Sequence, residues 1–210
     1  MKTVIICNGE ITDYSYSTKV IQSADYVICA DGGTRHTYAM GIDPDIIIGD
    51  FDSSSSEYLE YYKNKGIKVE KHPIEKDKTD SHICILKALD FSDEIVILGA
   101  TGNRLDHTLA NISLLKIGID RGVKMYIADK QNEIFLIDRE ITISGKPGEY
   151  FSVIPFTPRV EGICINGAKY ELNDAVMEFG DPYGTSNEFK EKKVHISIKS
   201  GYLLVIKSRD

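Results

Sequence analysis

Along the first 130 residues or so, short aliphatic runs alternate with longer stretches whose apolar residues recur at every third or fourth position. Val4 to Cys7, Tyr26 to Ala30, Ile46 to Ile48, Ile67 to Val69, Ile95 to Leu98 and Lys124 to Ala128 read as strands, being short and rich in aliphatic residues. Ser55 to Lys65, Thr79 to Leu89 and Leu105 to Ile117 read as helices; Ile83, Leu86 and Leu89, with Ile85 adjoining, make one apolar stripe. Aliphatic strands separated by helices predict a parallel sheet covered on both faces, the doubly wound α/β class. In that class ligands bind in loops beyond the carboxyl ends of the strands.

After Asp129 the pattern changes. Helical spacing stops, and turn residues crowd into Gly145-Lys146-Pro147-Gly148, Asn166-Gly167, Gly180-Asp181-Pro182 and Ser200-Gly201. Glu133 to Ile137, Tyr150 to Ile154, Gly162 to Ile165, Val194 to Ile198 and Tyr202 to Ile206 read as strands, with Asn166-Gly167 and Ser200-Gly201 suited to hairpins. The expected organisation is an α/β domain with a mainly parallel sheet over 1–129, joined without a flexible linker to an all-β sandwich over 130–210.

Composition narrows the class without changing that picture. With 42% apolar and 27% charged residues, the chain of 210 is globular rather than disordered, collagenous or coiled-coil. Its longest apolar runs, such as Ile95 to Ala100, fall far short of the roughly 18 residues of a membrane helix, and no signal-peptide pattern opens the chain. The cytoplasm is the expected compartment, with no membrane partner. Cys7, Cys29, Cys84 and Cys164 lack metal or redox spacing and are expected to be reduced packing residues. A formal charge of −7 opposes a nucleic-acid surface, yet leaves room for one nucleotide carried with a metal.

The chemistry-bearing residues sit where strands are expected to end. Ala30-Asp31-Gly32-Gly33 and Gly49-Asp50-Phe51-Asp52-Ser53 place carboxylates just past two aliphatic runs. In an extended chain Asp50 and Asp52 point the same way and Phe51 turns to the core, so two carboxylates face one hard cation such as magnesium. The competing reading makes Asp52-Ser53 a helix cap and Asp50 a solvated charge. Glu75-Lys76-Asp77-Lys78-Thr79-Asp80 opens a helix, where Thr79 caps and Asp80 suits the dipole, or where mixed charges hold phosphate and its metal. Gly99 to His107 again joins strand to helix: Arg104 offers a fork-shaped donor, and Asp106 a partner for it or for a ribose hydroxyl. His107 reads as structural, since no Ser or Cys is arranged with it. Neither GxGxxG nor a Walker motif occurs. Together these groups point to a magnesium-dependent enzyme acting on a nucleotide phosphate.

Six ordered motifs carry a resemblance: Asn8-Gly9, Ala30-Asp31-Gly32-Gly33, Gly49-Asp50-Phe51-Asp52-Ser53, Lys76-Asp77-Lys78-Thr79-Asp80, Gly102-Asn103-Arg104-Leu105-Asp106-His107 and Gly184-Thr185-Ser186-Asn187. The chain resembles the thiamine pyrophosphokinase family over nearly its whole length. The resemblance implies magnesium-dependent transfer of pyrophosphate from ATP to thiamine, with AMP released, by homodimers whose thiamine pocket lies between subunits. It implies Asp50, Asp52 and Asp80 as catalytic metal ligands, with Asp80 also a candidate to accept or orient the hydroxyl proton. Asp31, Gly32, Gly33, Asp77, Thr79, Arg104 and Asp106 are implied at ATP, and Lys76, Ser186 and Asn187 at thiamine. The sequence contains no Trp, so Tyr170, Tyr183 and Phe189 are the aromatic candidates for the thiamine ring. Ser186 and Asn187 sit in a turn whose motif packing is not expected to require. Two alternatives stay open at this point: a nucleotide-sugar glycosyltransferase using Asp-x-Asp, and an inactive nucleotide- or thiamine-binding protein.

Overall fold

The aliphatic runs of the first half become six strands: β1 (Lys2–Ile6), β2 (Tyr26–Ala30), β3 (Ile46–Gly49), β4 (Lys68–Lys71), β5 (Glu94–Leu98) and β6 (Lys124–Ala128). The computed structural model describes residues 1–51, 56–73, 77–181 and 183–209, and the chain divides into two units, Met1–Lys130 and Gln131–Asp210. Within the first unit the strand order is β6-β5-β1-β2-β3-β4, and every pairing is parallel. The chain therefore winds outward from β1 to β4, returns to the other side of β1, and winds outward again. The reversal puts a topological switch point between β1 and β5.

Both faces of this sheet are covered. Val4, Ile6, Val27, Val96 and Leu98 cluster with Ile21 of helix α1 (Tyr14–Gln22), while the alternate residues Ile5, Ile28, Ile46, Ile95 and Ile97 are equally buried. Helix α4 (Asp80–Leu89) crosses β1, β2 and β3 and touches α5 (Leu105–Arg121). Helix α3 (Ser56–Asn64) sends Tyr62 into a cluster with Cys29 and Ile47, where its buried hydroxyl donates to the Ile42 carbonyl at 2.9 Å.

Apolar spacing does not single out α1 or α2 (Thr34–Met40). The first turns of α1, Tyr-Ser-Tyr-Ser-Thr, have poor helix propensity, and tertiary burial of Ile21 together with its N-cap outweighs that. Asp13 caps it, accepting from the Ser15 and Tyr16 amides at 2.8 and 3.1 Å.

The second unit contains β7 (Asn132–Ile137), β8 (Glu140–Ser144), β9 (Tyr150–Pro155), β10 (Arg159–Asn166), β11 (Leu172–Glu178), β12 (Asn187–Glu188), β13 (Lys193–Ser197) and β14 (Leu203–Ser208). Its two antiparallel layers run β12-β9-β14-β7 and β11-β10-β13-β8, with Phe151, Val153 and Val205 buried on one and Val160, Val194 and Ile196 on the other. Asn166-Gly167 begins the connection of the β10–β11 hairpin. Ser200-Gly201 does not make a hairpin: β13 pairs with β8 and β10, whereas β14 pairs with β7 and β9. The turn carries the chain between layers, because the apolar faces of β13 and β14 are needed in different sheets. Among the described residues no helix is long and apolar enough to cross a membrane.

Candidate active site

Three strand-end segments of the first unit bring carboxylates together. One oxygen each from Asp31, Asp50 and Asp80 lies within 4.8 Å of the others. Asp31 follows β2 in a short 3-10 turn, with φ 38° and 5% exposure. Gly49, the last residue of β3, makes the approach possible: a Cβ there would meet the Asp31 Cβ at 2.7 Å. Asp80 is the first residue of α4, after Thr79, whose hydroxyl accepts the His82 amide at 3.3 Å. At such separations each ionised pair repels by about 3.5 kcal/mol for an effective dielectric of about 20. Hard oxygen donors crowded in this way suit a divalent cation such as magnesium.

β3 ends at Gly49, and Phe51 has φ 66°, so the chain has left the extended conformation there. Phe51 turns to the core as expected, packing against Cys29, Ile47 and Tyr62. Asp52 and Lys76 lie outside the described residues.

The cluster opens into a cleft of about 940 Å3 whose lining includes Asn8 to Ile11, Arg35, Asp77 to Ser81, Gly99 to Arg104 and His107. Its floor is the switch point. There the Gly9 amide donates to the Gly99 carbonyl at 2.7 Å and the Glu10 amide to Thr101 at 2.9 Å, tying the β1 and β5 loops together. Cys7 also lines the cleft; burial pushes its thiol up to about 11, against a hydrogen bond with Ser81 that lowers it and with the Asp80 charge adding to the rise.

Of the remaining nucleotide-site expectations, Asp77, Thr79 and Arg104 line the cleft. Arg104 grips Asp106 with two edges, Nε to Oδ1 at 3.2 Å and Nη2 to Oδ2 at 2.6 Å, with 70% and 64% of the side chains exposed. This hydrogen bonding holds the Asp106 carboxyl at about 2. At Gly32 and Gly33 packing also leaves no room for a side chain, since a Cβ would strike the Asn8 side chain or the Ile6 carbonyl. His107, read as structural, is exposed on the cleft wall.

In the second unit the turn before β12 is strapped down by its own residues, against expectation. Asn187 is 6% exposed; its Oδ1 accepts from the Tyr170 and Glu188 amides at 3.1 and 2.9 Å, and its Nδ2 donates to the Tyr170 carbonyl at 2.8 Å. The Gly184 carbonyl accepts from Val153, and a side chain at Gly184 would strike the Val153 carbonyl. Ser186 is exposed, with φ 57° and its amide on Ser152 Oγ. Phe189 is a core residue, edge-on to Phe151 at 5.3 Å, whereas Tyr170 and Tyr183 are exposed.

Sequence reading passed over Tyr14, Arg35, His36 and Asn111, all of which line the cleft. Arg35 and His36 stand directly after Asp31-Gly32-Gly33-Thr34, and that adjacency was the available signal.

Comparison with known proteins bears on the whole chain. Residues 17–127 match the model of the thiamin pyrophosphokinase catalytic domain, and residues 138–203 that of the thiamin pyrophosphokinase vitamin B1 binding domain. The thiamine pyrophosphokinase of Bacillus subtilis (strain 168) is 32% identical over 194 residues, covering 87% of each chain. The crystal structure of a Bacillus subtilis thiamine pyrophosphokinase superposes with a TM-score of 0.91 at 30% identity over 100% of both chains. A thiamin pyrophosphokinase from Geobacillus thermodenitrificans gives 0.85 at 28% identity, over 100% of this chain and 98% of that one.

Proposed function

The chain belongs to the thiamin pyrophosphokinase family, and from that membership we propose that it transfers the terminal pyrophosphoryl unit of ATP to the hydroxyl of thiamine, giving thiamine diphosphate and AMP, with magnesium held by Asp31, Asp50 and Asp80. The observation that carries this reading is the convergence of those three carboxylates, from separate segments, in one cleft at the switch point of a parallel sheet. Asp52 joins the ligand set by its place in the sequence, two residues after Asp50. Magnesium, when bound, supplies the positive charge that lets an acidic cleft accept a polyphosphate.

The protein's part is binding, orientation and proton handling. The thiamine hydroxyl oxygen attacks the β-phosphorus of ATP; the bond to the oxygen shared with the α-phosphate breaks, and that electron pair leaves on AMP. The hydroxyl proton is accepted or oriented by Asp80. Charge in such a loose transition state spreads over the equatorial oxygens, so fixed cations and positioning do most of the work. Arg104, aimed by Asp106, meets the phosphates, with Asp77 and Thr79 on the same wall. Lys76 and Ser186 are assigned to thiamine through the family likeness; Asn187, its amide committed to Tyr170, shapes the turn that carries Ser186. The active unit is a homodimer on the same ground.

The deciding experiment supplies ATP, thiamine and magnesium and follows AMP. Equal yields of AMP and thiamine diphosphate, abolished by EDTA, are expected. ADP in place of AMP would mean single-phosphoryl transfer, and sugar-nucleotide turnover without AMP would favour a glycosyltransferase. Sedimentation at micromolar concentration should give twice the chain mass; a monomer that retains full turnover overturns the dimer.

A further inference from the structure

The loop after β1 is held from two sides. On one side its amides meet the β5 loop, as described above. On the other, helix α2 reaches its carbonyls: Arg35 Nη2 donates to the Asn8 and Gly9 oxygens at 2.7 and 3.1 Å, and His36 Nε2 lies 2.8 Å from the same Gly9 oxygen. His36 is 3% exposed, and its other nitrogen, Nδ1, lies 3.0 Å from the Tyr14 hydroxyl. A carbonyl can only accept, so Nε2 carries the proton, Nδ1 accepts, and the tyrosine donates. Burial holds the ring below its ordinary pKa, consistent with that neutral form.

We infer that His36 is a positioning residue for nucleotide binding, acting through the Gly9 carbonyl to fix the β1 loop that walls the cleft, with Tyr14 selecting its tautomer. The inference rests on the nucleotide reading of the cleft. His36 lines the same cleft, but its two ring nitrogens face protein groups, so it shapes the wall rather than touching the reacting atoms. Asp50 and Asp80 belong to other segments, whereas Asp31 lies in the turn that runs directly into α2.

The test compares three variants in steady-state kinetics and in calorimetric titration with magnesium and ATP in the absence of thiamine. His36→Phe keeps the ring volume and removes both polar atoms. It should raise KM and Kd for ATP about tenfold, the effect of one or two lost hydrogen bonds, with kcat changed less than about threefold. His36→Gln, whose amide nitrogen can occupy the Nε2 position, should recover most of that affinity. Tyr14→Phe frees the ring to hold its proton on Nδ1 and should raise KM about two- to threefold. Wild-type affinity in His36→Phe, no recovery in His36→Gln, or a fall in kcat alone each overturns the inference. If His36→Phe does not fold, Tyr14→Phe decides: an unchanged KM overturns it. Should the wild type bind ATP but form no AMP, the functional reading fails while calorimetry still judges the clamp.

Discussion

Asp31 and Asn187 are almost equally buried, at 5% and 6% exposure, yet they stand in opposite relations to the fold. Asn187 exchanges three hydrogen bonds with the backbone of Tyr170 and Glu188, so its burial completes a turn. Asp31 places a carboxylate oxygen within 4.8 Å of those of Asp50 and Asp80, on a backbone with φ 38°. A buried polar residue therefore points to chemistry where like charges converge on it from separate segments, and to architecture where it serves the nearby backbone. The two units divide along this line: the first concentrates like charges at its strand ends, while the second uses a family motif to hold a turn in place.

Substitutions can break that contrast or sharpen it. The largest expected effect is from Asp50→Asn, which removes charge but little volume: turnover should fall at least about a hundredfold, beyond the usual effect of losing an outer-shell partner, while the melting temperature holds or rises. Activity near wild type would remove Asp50 from the site. In the second unit Asn187→Ala should do the reverse, lowering stability by about 2 kcal/mol in denaturant unfolding because the Tyr170 backbone loses its partners. Unchanged stability would return Asn187 to the ligand side. Arg104→Lys keeps the charge and loses the planar fork, so kcat/KM should drop about fivefold, the worth of one charge-assisted hydrogen bond or less. Kinetics indistinguishable from wild type would make Arg104 a solvated charge.

The smallest effect is in pH. Hydrogen bonding to Arg104 depresses the Asp106 carboxyl from 3.8 to about 2. A depressed acid favours the folded state above its unfolded value and loses that contribution as pH falls through the folded one. The Arg104–Asp106 pair should thus be intact at pH 4 and above and half lost near pH 2, the midpoint that carboxyl chemical shifts in NMR would record, while its contribution to stability fades between about pH 4 and 2. An Asp106 titrating near 4 contradicts the bidentate geometry.

Much of this was legible before any coordinates. Aliphatic runs located all six parallel strands, Tyr26 to Ala30 and Lys124 to Ala128 to the residue and the others within two residues, because a strand buried on both faces leaves little polar interruption; β4, at the sheet edge and polar, was shifted. The chemistry at the ends of β2 and β3 was legible for the same reason: Asp31 and Asp50 stand where packing asks for neither. Less legible was whatever long-range pairing decides. The Ser200-Gly201 turn has hairpin residues, but which sheet receives β14 depends on partners far along the chain, such as Ile154 opposite Leu204. Asn187 fell to the same limit, since its partner Tyr170 is 17 residues distant. Arg35 and His36 escaped notice because α2 carries no clear apolar stripe, and only the fold turns them toward Gly9.

Asp31 carries one more consequence. Its backbone is left-handed, with φ 38°, a conformation that glycine adopts more readily, and a glycine there would also remove one charge from the carboxylate cluster. Phe51, left-handed as well at φ 66°, is held instead by its packing against Cys29, Ile47 and Tyr62. A thermostability screen blind to turnover would therefore enrich replacements of Asp31 early, and its most robust survivors would be enriched in disabled enzymes. Melting temperature and catalysis select opposite residues at this position, so any directed evolution of this chain has to score both traits in the same round.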